Sequence, residues 1–278
     1  MPSSNQKREA ARRQLQRQLE RRQVQEARRR RSTLIVSIIG TIALVGLIVG
    51  FIVATGNDKK KTPVAAATSS PSTTPTTTAS RIPGICDFLA AGTAARTVNP
   101  PSSAAATKGT VQVTVATNRG PMTFTLNRAA APCTVANFVS LVKQKFYDKT
   151  PCHRLVTAGI YVLQCGDPTG KGSGGPGYSI PDEATGKETY PAGTIAMART
   201  PQTAHSGGSQ FFIVYKDSPA LQQQLGTMQY TVFGKVTQGL GVVTAVAAKG
   251  SNNANGANDG APKLPITLQT LKVQGSAA

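Results

Sequence analysis

Residues 109–142 read GTVQVTVATNRGPMTFTLNRAAAPCTVANFVSLV, and two successive periods in that stretch decide the fold class. Val111, Val113 and Val115 alternate with Gln112, Thr114 and Ala116; beyond Asn118-Arg119-Gly120, Met122, Phe124 and Leu126 alternate in the same way. Alternation with period two on both sides of a short turn predicts a β-hairpin with one buried face. Past Pro132 the period lengthens. Val135, Phe138, Val139 and Val142 fall at i, i+3, i+4 and i+7, the apolar stripe of an amphipathic helix.

Downstream, short strand-like runs occur at 153–156, 161–165, 194–198, 210–215 and 231–236. A second helical stretch at 240–248 precedes a last strand near 266–273. Many short strands and only two helices predict a mainly β body, closed or sandwiched, with helices packed on its open ends. No internal repeat is apparent.

Upstream the chain has a different character. Residues 1–31 hold eleven Lys or Arg against Glu9, Glu20 and Glu26, so this leader carries +8 of the chain's +19. The rest of the positive charge is thinly spread, without interleaved aromatic residues, so nucleic-acid binding is not indicated. No charged residue occurs from Thr33 to Gly56, and Leu34–Ala54 is mostly Ile, Val, Leu and Ala. This meets the roughly 20 residues a bilayer-spanning helix needs. The rival is a cleaved signal peptide, with Ala65-Ala66-Ala67 as cleavage site, but its apolar region should be only about 7–15 residues long. The Arg-rich flank outweighs Lys59–Lys61, which places the N-terminus in the cytoplasm and the C-terminal bulk outside.

Thr62–Ser80 is built from Thr, Ser, Pro and Ala and cannot form a core. The expected organisation is therefore a basic cytoplasmic leader over 1–32, a transmembrane helix over 33–55 and a linker over 56–81. An irregular extension containing Cys86 covers 82–108, the folded domain covers 109–275, and 276–278 form a tail. On the outer side Cys86, Cys133, Cys152 and Cys165 read as two disulfides with three connectivities open. With two His and no close Cys pair, a metal site is not indicated.

Three segments carry chemistry: Pro151-Cys152-His153-Arg154-Leu155, Leu163-Gln164-Cys165-Gly166-Asp167-Pro168 and Gly207-Gly208-Ser209-Gln210-Phe211-Phe212-Ile213. Together with Thr231-Val232-Phe233-Gly234-Lys235-Val236 and the loop 170–178, they resemble the cyclophilin family, in collinear order over roughly 109–274. The resemblance is to a membrane-anchored bacterial form of the actinobacterial kind. It implies a closed eight-stranded antiparallel barrel capped by two helices, and peptidyl-prolyl cis/trans isomerisation without a cofactor. The implied partners are proline-containing polypeptides.

By this resemblance Arg154 hydrogen-bonds the proline amide, while Gln164 and Gln210 orient it and the substrate backbone. Phe212 and Leu221 wall the proline pocket, and Ala198 and Arg199 bond the substrate main chain. Tyr161 and Val162 stand where the family has a Phe-Met pair, Tyr230 where it has a His, and Ala220 where it has a Trp; this chain has no Trp. These departures leave binding of cyclosporin-type inhibitors open. One of Phe211 and Phe212 must face the core and the other the site. With Arg154 and Gln164 on one face, Cys152 and Cys165 have opposite parity, which argues against their pairing. His153 reads as a structural residue, His205 as exposed, and the Gly-x-Gly-x-x-Gly pattern of Gly170, Gly172 and Gly175 as a flexible surface loop, because Pro176 follows instead of a helix. The alternative functions are a proline-segment binding module or chaperone with little turnover, and an interaction protein whose leader matters most.

Overall fold

The computed structural model describes residues 82–200, 203–225 and 229–275. The leader, span and linker expected over 1–81, and the tail, lie outside these residues. Among the described residues no helix is long and apolar enough to cross a membrane.

The hairpin forms as read. Strands β2 (Thr110–Thr117) and β3 (Gly120–Asn127) pair with Val111 opposite Leu126, Val113 opposite Phe124 and Val115 opposite Met122. All six side chains are buried, so one face of the hairpin makes core and the other meets solvent. Helix α1 (Pro132–Lys143) lays Val135, Phe138, Leu141 and Val142 into the same core. Its first turn has no side-chain cap of its own. Instead the Glu183 carboxylate accepts hydrogen bonds from the backbone N–H groups of Cys133 (2.9 Å) and Thr134 (2.8 Å), satisfying orphan donors at the helix's positive end.

The other elements are β1 (Leu89–Ala90), β4 (Thr150–Pro151), β5 (Arg154–Val156), β6 (Val162–Cys165), β7 (Tyr178–Ser179), β8 (Thr194–Met197), β9 (Phe211–Val214), α2 (Pro219–Leu225), β10 (Val232–Gln238), α3 (Leu240–Ala247), β11 (Asp259–Gly260) and β12 (Thr267–Gln274). Helix α2 was not expected; it is short and lacks the long apolar stripe that marks α1. Strands β1 and β7 form a separate pair, and the rest form one antiparallel sheet in the order β11-β5-β6-β9-β8-β10-β3-β2-β12-β4.

The closed eight-stranded barrel is thus corrected to a ten-stranded sheet with two ends. The reason lies at Pro151, which has no N–H for a ladder, so the strand breaks there. Before the break β4 bonds β12; after it the Cys152 N–H still donates to the Ile266 carbonyl (3.0 Å), whereas the His153 N–H donates to that of Gln164 (3.1 Å). The segment passes from one end of the sheet to the other, and the sheet curls around its core.

Register then separates core from site. Leu155 lies opposite Leu163, Leu163 opposite Ile213, and Ile213 opposite Ile195, all fully buried on the inner face. One residue along, Arg154 lies opposite Gln164, Gln164 opposite Phe212 and Phe212 opposite Ala196 on the outer face. Phe211 is therefore the core member of its pair, stacked edge-on against Phe124, Phe138 and Tyr147. Phe212 belongs to a second apolar cluster with Val162, Ala196 and Leu221.

Two disulfides tie the domain, Cys86–Cys133 and Cys152–Cys165. The second corrects the parity argument. Cys152 precedes β5, beyond the break, where strict alternation no longer fixes the direction of its side chain. The extension 82–108 is also more structured than an irregular tether, since it contributes β1. Because Cys86–Cys133 closes a separation of 47 residues, replacing both with Ser is expected to lower the unfolding free energy by about 2–4 kcal/mol. Denaturant midpoints at constant slope measure this, and an unchanged midpoint would contradict it.

Candidate active site

The outer-face row leads into a groove of about 740 Å³. Phe212, Leu221 and Val162 are buried in its apolar part, and Tyr230 meets Phe212 edge-on at 5.1 Å between ring centres. Tyr230 is itself fixed through its backbone: its N–H donates to the Tyr190 hydroxyl (2.8 Å), which donates to the Tyr230 carbonyl (3.1 Å). Ala198 also lines the groove, and its N–H donates to the Gln210 carbonyl (2.9 Å). Arg199 lines it beside Ala198, its guanidinium 5.6 Å from the centre of the Tyr230 ring.

Arg154 stands at the polar edge. Its Nε donates to Asp259 Oδ1 (2.8 Å) and its Nη2 to Asp259 Oδ2 (2.6 Å), a two-pronged pairing of planar groups. The register explains the contact: Asp259 lies opposite Val156, so Arg154 on the same face is its diagonal neighbour across the strands. Nη1 points to Gln164 Oε1 at 3.5 Å, and Gln164 Nε2 donates to Gln210 Oε1 (2.8 Å). Gln210 Nε2 in turn donates to the carbonyls of Gly172 (2.9 Å) and Gly174 (3.0 Å).

Those carbonyls are placed by Asp167. Its buried carboxylate accepts from the Thr169 N–H and hydroxyl (2.7 and 2.8 Å) and from the N–H groups of Gly172 (2.7 Å) and Gly174 (3.0 Å). A Cβ at Gly174 would collide with that carboxylate, so the position requires glycine. The loop is accordingly tied down instead of flexible: Gly172 and Gly174 hold the Asp167 carboxylate, and the Gly170 N–H donates to the Asp167 carbonyl (3.0 Å). Behind the groove, Asn137 Nδ2 donates to the Gly208 carbonyl (2.7 Å), the Tyr178 hydroxyl to Asn137 Oδ1 (2.8 Å) and the Tyr147 hydroxyl to the Ser209 carbonyl (3.0 Å). Burial pushes the Tyr147 and Tyr178 hydroxyls well above their ordinary range, so both stay protonated donors.

Of the residues read from sequence, Arg154, Gln164, Gln210, Phe212, Val162, Ala198, Arg199, Leu221 and Tyr230 come together in this groove. Tyr161 does not line it. Its ring turns to Tyr215 (6.0 Å between centres) and sits under the Lys216 ammonium, and Ile160 takes its place in the lining. Ala220 is also absent from the lining. His153 packs beneath Gly172; burial lowers its pKa, which keeps it neutral. His205 is exposed and exchanges hydrogen bonds with Asp182. Asp259 was missed, because Asn258-Asp259-Gly260 looks like ordinary turn chemistry until β11 pairs with β5.

Residues 111–273 match the family described as cyclophilin type peptidyl-prolyl cis-trans isomerase/CLD. The chain belongs to the cyclophilin family. It is 39% identical over 196 residues to the probable peptidyl-prolyl cis-trans isomerase B of Mycobacterium leprae, covering 65% of this chain and 63% of that protein. It is 46% identical over 118 residues to the peptidyl-prolyl cis-trans isomerase B of Bacillus subtilis, covering 42% and 76%. A crystal structure of a Cryptosporidium parvum cyclophilin type isomerase, determined in the presence of the dipeptide Ala-Pro, superimposes with a TM-score of 0.51 at 29% identity, covering 59% of this cyclophilin chain and 99% of that one.

Pairing with Arg154 holds the Asp259 carboxyl below its ordinary range, and the same pairing raises the Arg154 guanidinium. A carboxyl depressed in the folded state adds stability above its unfolded pKa of about 3.9 and loses it as pH falls through the lower folded value. Asp259→Asn is therefore expected to be less stable than wild type at neutral pH, with the gap closing below about pH 4. Thermal unfolding of both proteins from pH 7 to pH 2 measures it; a gap independent of pH would contradict the pairing.

Proposed function

We propose that the domain accelerates cis/trans interconversion of X-Pro peptide bonds, with proline seated against Phe212 and Leu221 and its amide beside Arg154. One observation carries this reading: a clamped guanidinium stands at the lip of an apolar cleft, with donor hydrogens not used by Asp259. Rotation about the peptide bond is opposed by a barrier of about 18–20 kcal/mol, because the nitrogen lone pair is delocalised into the carbonyl. A donor aimed at that nitrogen in the twisted state localises the lone pair and lowers the barrier. The chemistry requires neither a nucleophile nor proton transfer, and Arg stays charged throughout. Gln164 and Gln210 hold the donor and the substrate backbone in line. The Ala-Pro dipeptide used with the Cryptosporidium relative suits the same assignment of the cleft.

In this proposal residues 33–55 anchor the protein, the leader 1–32 stays in the cytoplasm, and the linker 56–81 holds the domain outside. There it acts on exported or envelope proteins, whose prolyl isomerisation takes about 10–100 s unaided. The charge asymmetry around the apolar run supports the orientation. All four cysteines are disulfide-bonded, which suits an oxidising compartment.

Residues 82–278 are expected to accelerate isomerisation of a cis X-Pro reporter peptide, and Arg154→Ala to reduce kcat/KM by about 100- to 1,000-fold. A wild type that binds the peptide without acceleration would establish a binding module instead. The topology is tested by thiol labelling of intact cells carrying an engineered Cys within 73–78: an impermeant reagent is expected to reach it, and failure to do so overturns the anchor.

A further inference from the structure

Residues 82–108 precede the stretch matched by the family, yet they are fastened to the domain at four places. Cys86 is bonded to Cys133 in the first turn of α1. Leu89 and Ala90 pair with Ser179 and Tyr178, and the N–H groups of Ala91 and Ala95 donate to the carbonyls of Gly177 (3.0 Å) and Gly175 (2.8 Å). Arg96 Nη1 donates to the carbonyls of Phe146 (2.7 Å) and Asp148 (2.6 Å). Asn99 and Gln144 exchange two hydrogen bonds of 2.9 Å. The bonds at Ala91 and Ala95 flank Gly92–Ala94 and fix that short stretch in space.

The stretch so fixed lies in the groove. Ala91, Gly92 and Thr93 line the same cavity as Arg154 and Phe212, together with the 172–176 loop and Gly207–Gly208. Ala91 and Thr93 are exposed, so their side chains are open to a ligand and are not part of the core. No ionisable side chain lies among 91–93, 173–176 and 207–209. A charged substrate side chain finds no opposite charge in these segments, so nothing in them favours it over an uncharged one.

We infer that Ala91–Thr93 form a third wall of the peptide groove and select small, uncharged side chains in the substrate residues that flank X-Pro. This inference rests on the isomerase reading for the identity of the substrate. A peptide in extended form advances about 3.3 Å per residue, with side chains pointing alternately to either side. With its proline seated against Phe212, it runs along the groove and brings a flanking side chain to this wall. Ala, Gly and Thr leave room there for a side chain of modest volume.

The chain has no Trp, so Thr93→Trp places a single indole in the wall, excited selectively beyond the tyrosine absorption band. Gly92 is unsuitable for substitution because its φ is +66°. In full-length protein held in detergent, proline peptides with Ala or Ser flanks are expected to change the emission of the Thr93→Trp variant saturably. Leu89→Trp, at a position 63% exposed and outside the groove lining, should not respond. Against a reporter panel varied at each flanking residue, Thr93→Trp is expected to lower kcat/KM for bulky flanks by about tenfold relative to Gly flanks. Thr93→Glu should raise the standing of Lys-flanked peptides relative to Ala-flanked ones by about tenfold.

The wall is overturned if saturating peptide leaves the Thr93→Trp emission unchanged, or if both Thr93 variants keep the wild-type ranking of the panel. If the wild type turns over no peptide, the isomerase reading fails, and the emission titration still decides the wall.

Discussion

A single cross-strand register sets both the core and the groove. Leu155, Leu163, Ile213 and Ile195 line up on the inner face, fully buried, each worth about 1.5–3 kcal/mol relative to exposure. Arg154, Gln164, Phe212 and Ala196 occupy the next row, on the opposite face. A slip of one residue would send the whole inner row outward and drive a guanidinium into the core. Hydrophobic burial on one face therefore enforces polar alignment on the other, and no separate device is needed to bring the four outer residues into line.

Alignment alone does not immobilise a long side chain. Arg carries about 2 kcal/mol of rotamer entropy, and an unheld guanidinium would sweep much of the groove. Asp259 removes that freedom by engaging Nε and Nη2 at once, while Gln164, Gln210 and the Asp167-organised loop continue the same hydrogen-bonded chain across the groove. Burial alone would raise the Asp167 carboxyl, but the hydrogen bonds from Gly174, Thr169 and Gly172 outweigh it and hold the group below its ordinary range. The loop's geometry thus depends on a carboxylate that stays ionised at neutral pH. Preorganisation of this kind lets a fixed donor act without rearranging during the reaction.

The sequence made the long elements legible because their periods are regular: β2, β3 and α1 appear within a residue or two of where alternation and the apolar stripe put them. The groove residues were legible through collinear blocks, since Arg154, Gln164, Gln210 and Phe212 each sit beside neighbours that fix their identity. What escaped has a common cause. Strands of two residues have no period to read, so β11 was invisible, and with it the partner of Arg154. The Cys152–Cys165 bond defeated a parity argument because the strand breaks at Pro151, outside the ladder where parity holds. The extension gave no periodic signal either; its ties are made by single residues such as Cys86, Arg96 and Asn99, whose partners lie about 45 or more positions away.

In the proposed mechanism Arg154 acts because Asp259 holds it still. The most direct test is exchange spectroscopy of an Ala-Pro peptide at cis/trans equilibrium, with saturating protein, comparing wild type with Asp259→Asn and Asp259→Glu. Asp259→Asn is expected to slow catalysed exchange about tenfold or more while leaving peptide affinity nearly unchanged, and Asp259→Glu to recover part of the rate. Equal exchange rates in wild type and Asp259→Asn, at equal affinity, would contradict it.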